Sequence, residues 1–150
     1  PQLKMGWIVI GGAGKAEAAS RLETLCDTFL SVNTPAQVAL PHLLGEGART
    51  REAIRRRILA NYRSAREVFQ GSACTLLEAQ GGWYGILRVP RTKTDEEWAI
   101  ALLKERGISL YPGYFFDFEE EGYLVVSLLP EEGAFRRALE QVRDYVTHTP

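Results

Sequence analysis

Apolar residues follow one another along this chain in two rhythms, and the change comes near residue 70. Before it, Ala18, Leu22, Leu25, Cys26 and Phe29 recur at helical spacing and predict a helix over 15–30. Ahead of that helix, Trp7-Ile8-Val9-Ile10 is a continuous apolar run, read as a strand over 5–10 with a turn at Gly11 to Gly14. Asn33-Thr34-Pro35 breaks the chain and starts a second helix, which runs to about Leu44 and is ended by Gly45-Glu46-Gly47. A long helix over 48–69 follows, with Ile54, Ile58, Tyr62, Ala65 and Phe69 as its apolar stripe and Gly71 as its stop.

Beyond Gly71 the runs shorten. Cys74 to Glu78 and Trp83 to Val89 read as strands joined by a turn at Gly81-Gly82. Thr94-Asp95-Glu96-Glu97 is a capping box, in which Thr94 accepts from the Glu97 amide while Glu97 reaches back. The helix it opens runs to about Arg106, with Gly107 as a left-handed stop. Short and long strands follow over Ile108 to Tyr111 and Tyr123 to Leu129. Pro130-Glu131-Glu132 then opens a last helix that buries Ala134, Phe135, Ala138, Leu139, Val142 and Val146. The order β-β-α-β-β-α predicts an α/β (α+β) fold, a small sheet with helices on one face. Residues 1–45 offer one strand and two helices, which close no sheet alone and are expected to dock on something further.

Composition narrows the function classes. A hydrophobic fraction of 45% and a charged fraction of 25% are those of a globular protein. The net charge of −1 gives no whole-chain field for nucleic acid or an acidic membrane. No apolar run approaches the ~20 residues of a membrane span, and no signal-peptide pattern is present. Cys26 and Cys74 lack CxxC spacing and read as buried free thiols of a reducing cytoplasm. No repeat or low-complexity segment occurs.

Several motifs fail on inspection. Gly11-Gly12-Ala13-Gly14-Lys15 follows a strand and opens a helix, but Val9 stands where a P-loop needs its first glycine and Ala16 where it needs Ser or Thr. The arginines at 49, 51, 55, 56, 57, 63 and 66 read as a solvated helix face or one paired with acidic neighbours. His42 and His148 are isolated, with no partner at metal-ligand spacing. No GxSxG elbow supports a hydrolase.

Lys4-Met5-Gly6-Trp7 resembles the strand that follows the cofactor lysine in the class I/II, fold-type-I aminotransferases that use pyridoxal 5'-phosphate (PLP). Further segments match in the family's order. Ser31 to Gln37 resembles the turn toward the partner subunit's active site, and 48–69 resembles the connecting helix. Gly81-Gly82-Trp83-Tyr84 resembles a turn beside the substrate, and Tyr111 to Phe116 the Pro-Gly-x-x-Phe loop. The resemblance implies that 1–45 is a remnant of a PLP-binding large domain and that 46–150 is the connecting helix and C-terminal small domain. It assigns Lys4 to the cofactor phosphate, as a cation without arginine's planar fork, and Trp83 and Tyr84 to the substrate.

One position departs from the family. In Leu124-Val125-Val126-Ser127, Val125 stands where the family carries an arginine that grips the substrate carboxylate in a bidentate pair. Arg88 is the candidate substitute. Lys15, Lys93 and Lys104 lie outside the family's Ser-Lys context, as Lys4 does. The chain starts at Pro1 without an initiator Met, which suggests a cut just past the cofactor lysine. The expectation is therefore an inactive C-terminal portion of a dimeric cytoplasmic enzyme. The parent would swap an amino group between an amino acid and a 2-oxo acid, and the portion would lack catalytic residues and metal. Without its partner domain, self-association through Trp7, Ile8 and Ile10 is expected. The alternatives are a regulatory or binding module on the same fold, a carbon-sulfur lyase, and a stand-alone interaction domain.

Overall fold

The structure is a computed structural model that describes residues 4–29 and 32–149. Those residues fall into two compact units, Pro1–Thr50 and Arg51–Pro150. Pro1 to Leu3, and Ser31 of the Ser31 to Gln37 segment, lie outside the described residues.

The first unit contains α1 (Lys15–Phe29) and α2 (Thr34–Glu46). Asn33 caps α2 by accepting from the Ala36 amide at 3.2 Å, and Pro35 sits in its first turn. The helix passes through Gly45 before the Gly47 amide returns to the Leu43 carbonyl at 2.9 Å. Two expectations fail here. Residues 4–11 form no strand, and Trp7, Ile8 and Val9 are exposed. An apolar run becomes a strand only through a ladder with a neighbour, and the described residues of this unit hold none. The stripe of α1 is likewise uncovered. No residue of the helix is buried, Leu25 and Phe29 are exposed, and Cys26 is an exposed thiol rather than a buried one. Periodicity marks an apolar face but does not supply what covers it.

The second unit is built on an antiparallel sheet in the order β1-β2-β4-β3. Its strands are β1 (Thr75–Leu76), β2 (Tyr84–Arg88), β3 (Tyr111–Pro112) and β4 (Tyr123–Ser127). The helices are α3 (Ala48–Phe69), α4 (Asp95–Arg106) and α5 (Glu132–His148). The outer strands are shorter than expected, and much of 108–116 becomes loop and a 3-10 turn at Gly113–Phe116. Side chains alternate across the central strands. Leu87, Leu124 and Val126 enter one core with Ala65, Val68 and Phe69 of α3, Trp98 and Leu102 of α4, and Phe135, Leu139, Val142 and Val146 of α5. All three helices therefore serve one face of the sheet, as the pattern predicted. Cys74 joins this core, where burial pushes its thiol up to about 11 and leaves it unreactive.

Among the described residues of this unit, two polar side chains are buried, Asn61 and Asp95. Asn61 Nδ2 donates to the Leu128 and Pro130 carbonyls, both at 2.9 Å, tying α3 to the end of β4. Asp95 does more. The capping box is formed, so Thr94 and Glu97 serve the first amides of α4 and leave the Asp95 carboxylate free for distant groups. It accepts from Gly113 N–H at 3.1 Å, Gly122 N–H at 2.6 Å and Tyr123 N–H at 2.8 Å. In return, the Asp95 amide donates to Glu121 at 2.6 Å. The glycines fit this junction. A Cβ on Gly113 would lie 2.8 Å from Asp95 Oδ2, and Gly122 has φ of +100°.

Asp95→Ala should strand three donors and lower the stability of the chain by about 3 kcal/mol or more, read from the chemical-denaturation midpoint. Glu97 and Glu131, which accept backbone amides at the starts of α4 and α5, are held below the usual carboxylate range by those bonds. Their contribution is present above that range and lost as pH falls through the depressed values. Glu97→Gln with Glu131→Gln should flatten the acid limb of the stability–pH curve.

Candidate functional site

The sheet face away from the helices carries Tyr84, Ile86 and Arg88 on β2. Opposite them lie Ser127, Val125 and Tyr123 on β4, and Tyr111 of β3 pairs with Val125 from the other side. Among the described residues of this unit no α-helix covers this side, yet Val125 is only 2% exposed. Its cover comes from the segment after β3, which turns at Gly113–Phe116 and brings Phe116 and Phe118 over the sheet. The Phe116 ring meets Tyr84 edge-on at 5.3 Å and Tyr111 at 6.1 Å, and Phe118 lies 4.8 Å from Tyr123. The Asp95 carboxylate fixes both ends of this segment, at Gly113 and at Gly122.

Between the aromatic segment, the β2–β4 face and the β1–β2 loop lies a pocket of about 410 Å³, within the roughly 300–1,000 Å³ of small-molecule sites. Leu77, Tyr84, Ile86, Phe116, Phe118 and Val125 form its apolar walls, and Glu78 to Gly82 form its rim. The rim is held from below by Tyr62 of α3, whose hydroxyl donates to the Leu77 carbonyl at 3.2 Å and accepts from the Ala79 amide at 3.1 Å. The Leu77 amide also donates to the Ile86 carbonyl at 2.8 Å. A larger recess of about 590 Å³ at the end of α3 has a mainly polar wall, with Arg63, Arg66, Glu67 and Gln70 beside Phe69 and Leu76.

The structure distributes the sequence-derived residues unevenly. Tyr84 and Val125 line the pocket. Trp83 stands beside it, 52% exposed, with its ring 6.3 Å from Tyr84. Arg88 is exposed at the far end of β2, opposite Tyr123, and does not line the pocket. Lys4 belongs to the first unit and is exposed on the irregular segment. The arginines of α3 are exposed, and Arg55 and Arg56 pair with Glu52. No group of His, Cys, Asp and Glu suited to a metal ion occurs among the described residues. Ile86 and Phe118 were given no site role from sequence, Tyr62 and Asp95 were read only as part of a helix stripe and a capping box, and Phe116 only as the end of the Pro-Gly-x-x-Phe loop. Alternation along β2 could have found Ile86, as the register partner of Val125.

PLP needs a lysine for its aldehyde and a cation with amides for its phosphate. Among the described residues no lysine lines the pocket. Lys4, Lys15 and Lys104 are exposed, and Lys93 lies 5.2 Å from the centre of the Trp98 ring. The residues of this chain therefore do not fit the cofactor by themselves.

Tyr62→Phe should release the rim while leaving the core intact. The expected result is faster amide exchange at Ala79 and a stability loss of about 1 kcal/mol, with Trp98 packing unchanged by NMR.

No protein-family model matches the sequence, and no curated protein matches it. Solved structures do. A tyrosine aminotransferase from Leishmania infantum superposes with a TM-score of 0.71 at 18% identity, over 87% of this chain and 33% of that one. An aromatic aminotransferase from Pyrococcus horikoshii gives 0.71 at 17% identity, over 87% and 36%. An Escherichia coli protein with a methionine aminotransferase function gives 0.67 at 21% identity, over 87% and 35%. The chain spans about a third of the length of these structures. It has the fold of the C-terminal part of the aminotransferases, with its four-stranded antiparallel sheet backed by helices.

Proposed function

We propose that this chain is the C-terminal part of a PLP-dependent aminotransferase-type protein. In that protein, 46–150 supplies the substrate side of the site and 1–45 belongs to the cofactor-binding domain. The observation that carries the reading is the match in fold of 87% of this chain to about a third of several aminotransferases. The ordered motifs from Lys4 to Phe116 support it independently of the superposition. In this reading the parent moves an amino group between an amino acid and a 2-oxo acid as a cytoplasmic homodimer. When bound, PLP supplies the electron sink for that chemistry. The lysine that attaches it comes from residues outside these 150, so this chain alone does not turn over.

Within the chain, the roles follow from position. Tyr84, Phe116 and Val125 exclude water from the apolar end of a ligand. Asp95 and Tyr62 are positioning residues that act through the aromatic segment and the rim. A regulatory or binding module on the same fold is the second reading, and Val125 in place of a carboxylate-binding arginine favours it.

The gene product that carries this chain, purified at its full length, should show the absorbance of an internal aldimine and PLP by mass. It should also convert a 2-oxo acid to an amino acid. Absence of PLP from that product sinks the proposal. PLP without amino transfer selects the binding-module reading, and keto acid and ammonia released without an acceptor select a lyase.

A further inference from the structure

The pocket's electrostatics restrict what can enter it. Its floor, where Ile86 and Val125 face each other across β2 and β4, is apolar, with Val125 buried and Ile86 half-buried. Tyr84, Phe116 and Phe118 wall it with aromatic rings. Apart from the Tyr84 phenol, Glu78 is the one ionisable group among its lining residues, and no Lys, Arg or His is among them. The nearest cation along β2 is Arg88, two positions or about 7 Å beyond Ile86. It faces Tyr123 rather than Val125. A carboxylate placed on this floor would lose its water and gain no partner, which is strongly unfavourable. An ammonium group would meet the opposite situation, with the Glu78 carboxylate at the rim and aromatic faces to receive it.

We infer that this pocket binds the flat, apolar end of an amine, as an arylalkylamine or a neutral analogue of one, and discriminates against carboxylates of the same shape. The selection is set by Glu78 at the rim and by the absence of a cation around Val125. Calling this ligand the amino donor rests on the reading proposed above. The binding preference does not, because it is a property of residues in the second unit alone.

The test uses the 150-residue chain and three probes that share a phenylethyl group: 2-phenylethylamine, 2-phenylethanol and 3-phenylpropionate. Binding is followed by NMR shifts of the Ile86 and Val125 methyl groups. The amine should bind more tightly than 3-phenylpropionate by about tenfold, equivalent to about 1.4 kcal/mol, with the alcohol between them. Glu78→Gln should bring the amine down to the level of the alcohol. Glu78→Lys, a change at an exposed position, should reverse the order of amine and carboxylate. The inference is overturned if 3-phenylpropionate binds as tightly as the amine. It is equally overturned if none of the probes moves these methyl signals, or if the Glu78 variants leave the order unchanged. Any of those results leaves the cofactor reading standing, since that reading is decided by the PLP content of the full-length product. Conversely, an amine preference in a protein without PLP would retain the inference and remove only the reading.

Discussion

The Asp95 carboxylate joins parts of the second unit that sequence keeps far apart. It sits in the first turn of α4 and accepts amides from Gly113, which opens the aromatic segment, and from Gly122 and Tyr123, which close it. Because the carboxylate is buried, the three bonds are both strong and obligatory. They define where the segment leaves β3 and where it enters β4. Phe116 and Phe118 can therefore cover the sheet only in one place. Remove this junction and the helix-covered face keeps its core, but the opposite face loses its wall.

That division explains why one small sheet can be both scaffold and site. The face of Leu87, Leu124 and Val126 is closed by three helices and supplies stability. The face of Ile86 and Val125 is closed by a loop, which leaves a pocket instead of a core. Tyr62 and Asn61 link the faces mechanically. Both lie on α3, and both reach backbone of the sheet or its loops, at Leu77, Ala79, Leu128 and Pro130. The pocket is thus held from the helical layer, although no helix lines it.

Much of this fold was legible in the sequence, and the illegible parts share a cause. The capping box at Thr94 and the left-handed Gly107 are local signals that the structure contains, while the stripe of α3 is buried at Ala65 and Phe69 and left exposed at Ile54. The residue that local chemistry could not identify is Asp95. In sequence it is one acidic residue of several at a helix start, where the dipole alone accounts for it. Only the distant positions of Gly113 and Gly122 show that its carboxylate is committed elsewhere. The strand expected over 5–10 and the buried stripe of α1 failed for the same kind of reason. Trp7, Ile8, Leu25 and Phe29 have the pattern of covered residues, but coverage is a tertiary property. Val125 and the loop ending at Phe116 were found through a family resemblance, whereas Ile86 needed the register and the meeting of Phe116 with Val125 needed the loop path.

The central claim is that a buried carboxylate holds the aromatic wall of the pocket in place. Site-resolved amide exchange of the unmodified chain tests it most directly. The account predicts that the Gly113, Gly122 and Tyr123 amides exchange as slowly as those of the β2–β4 ladder, although two of them border a loop. Exchange of these three amides at the rate of an open loop would contradict it.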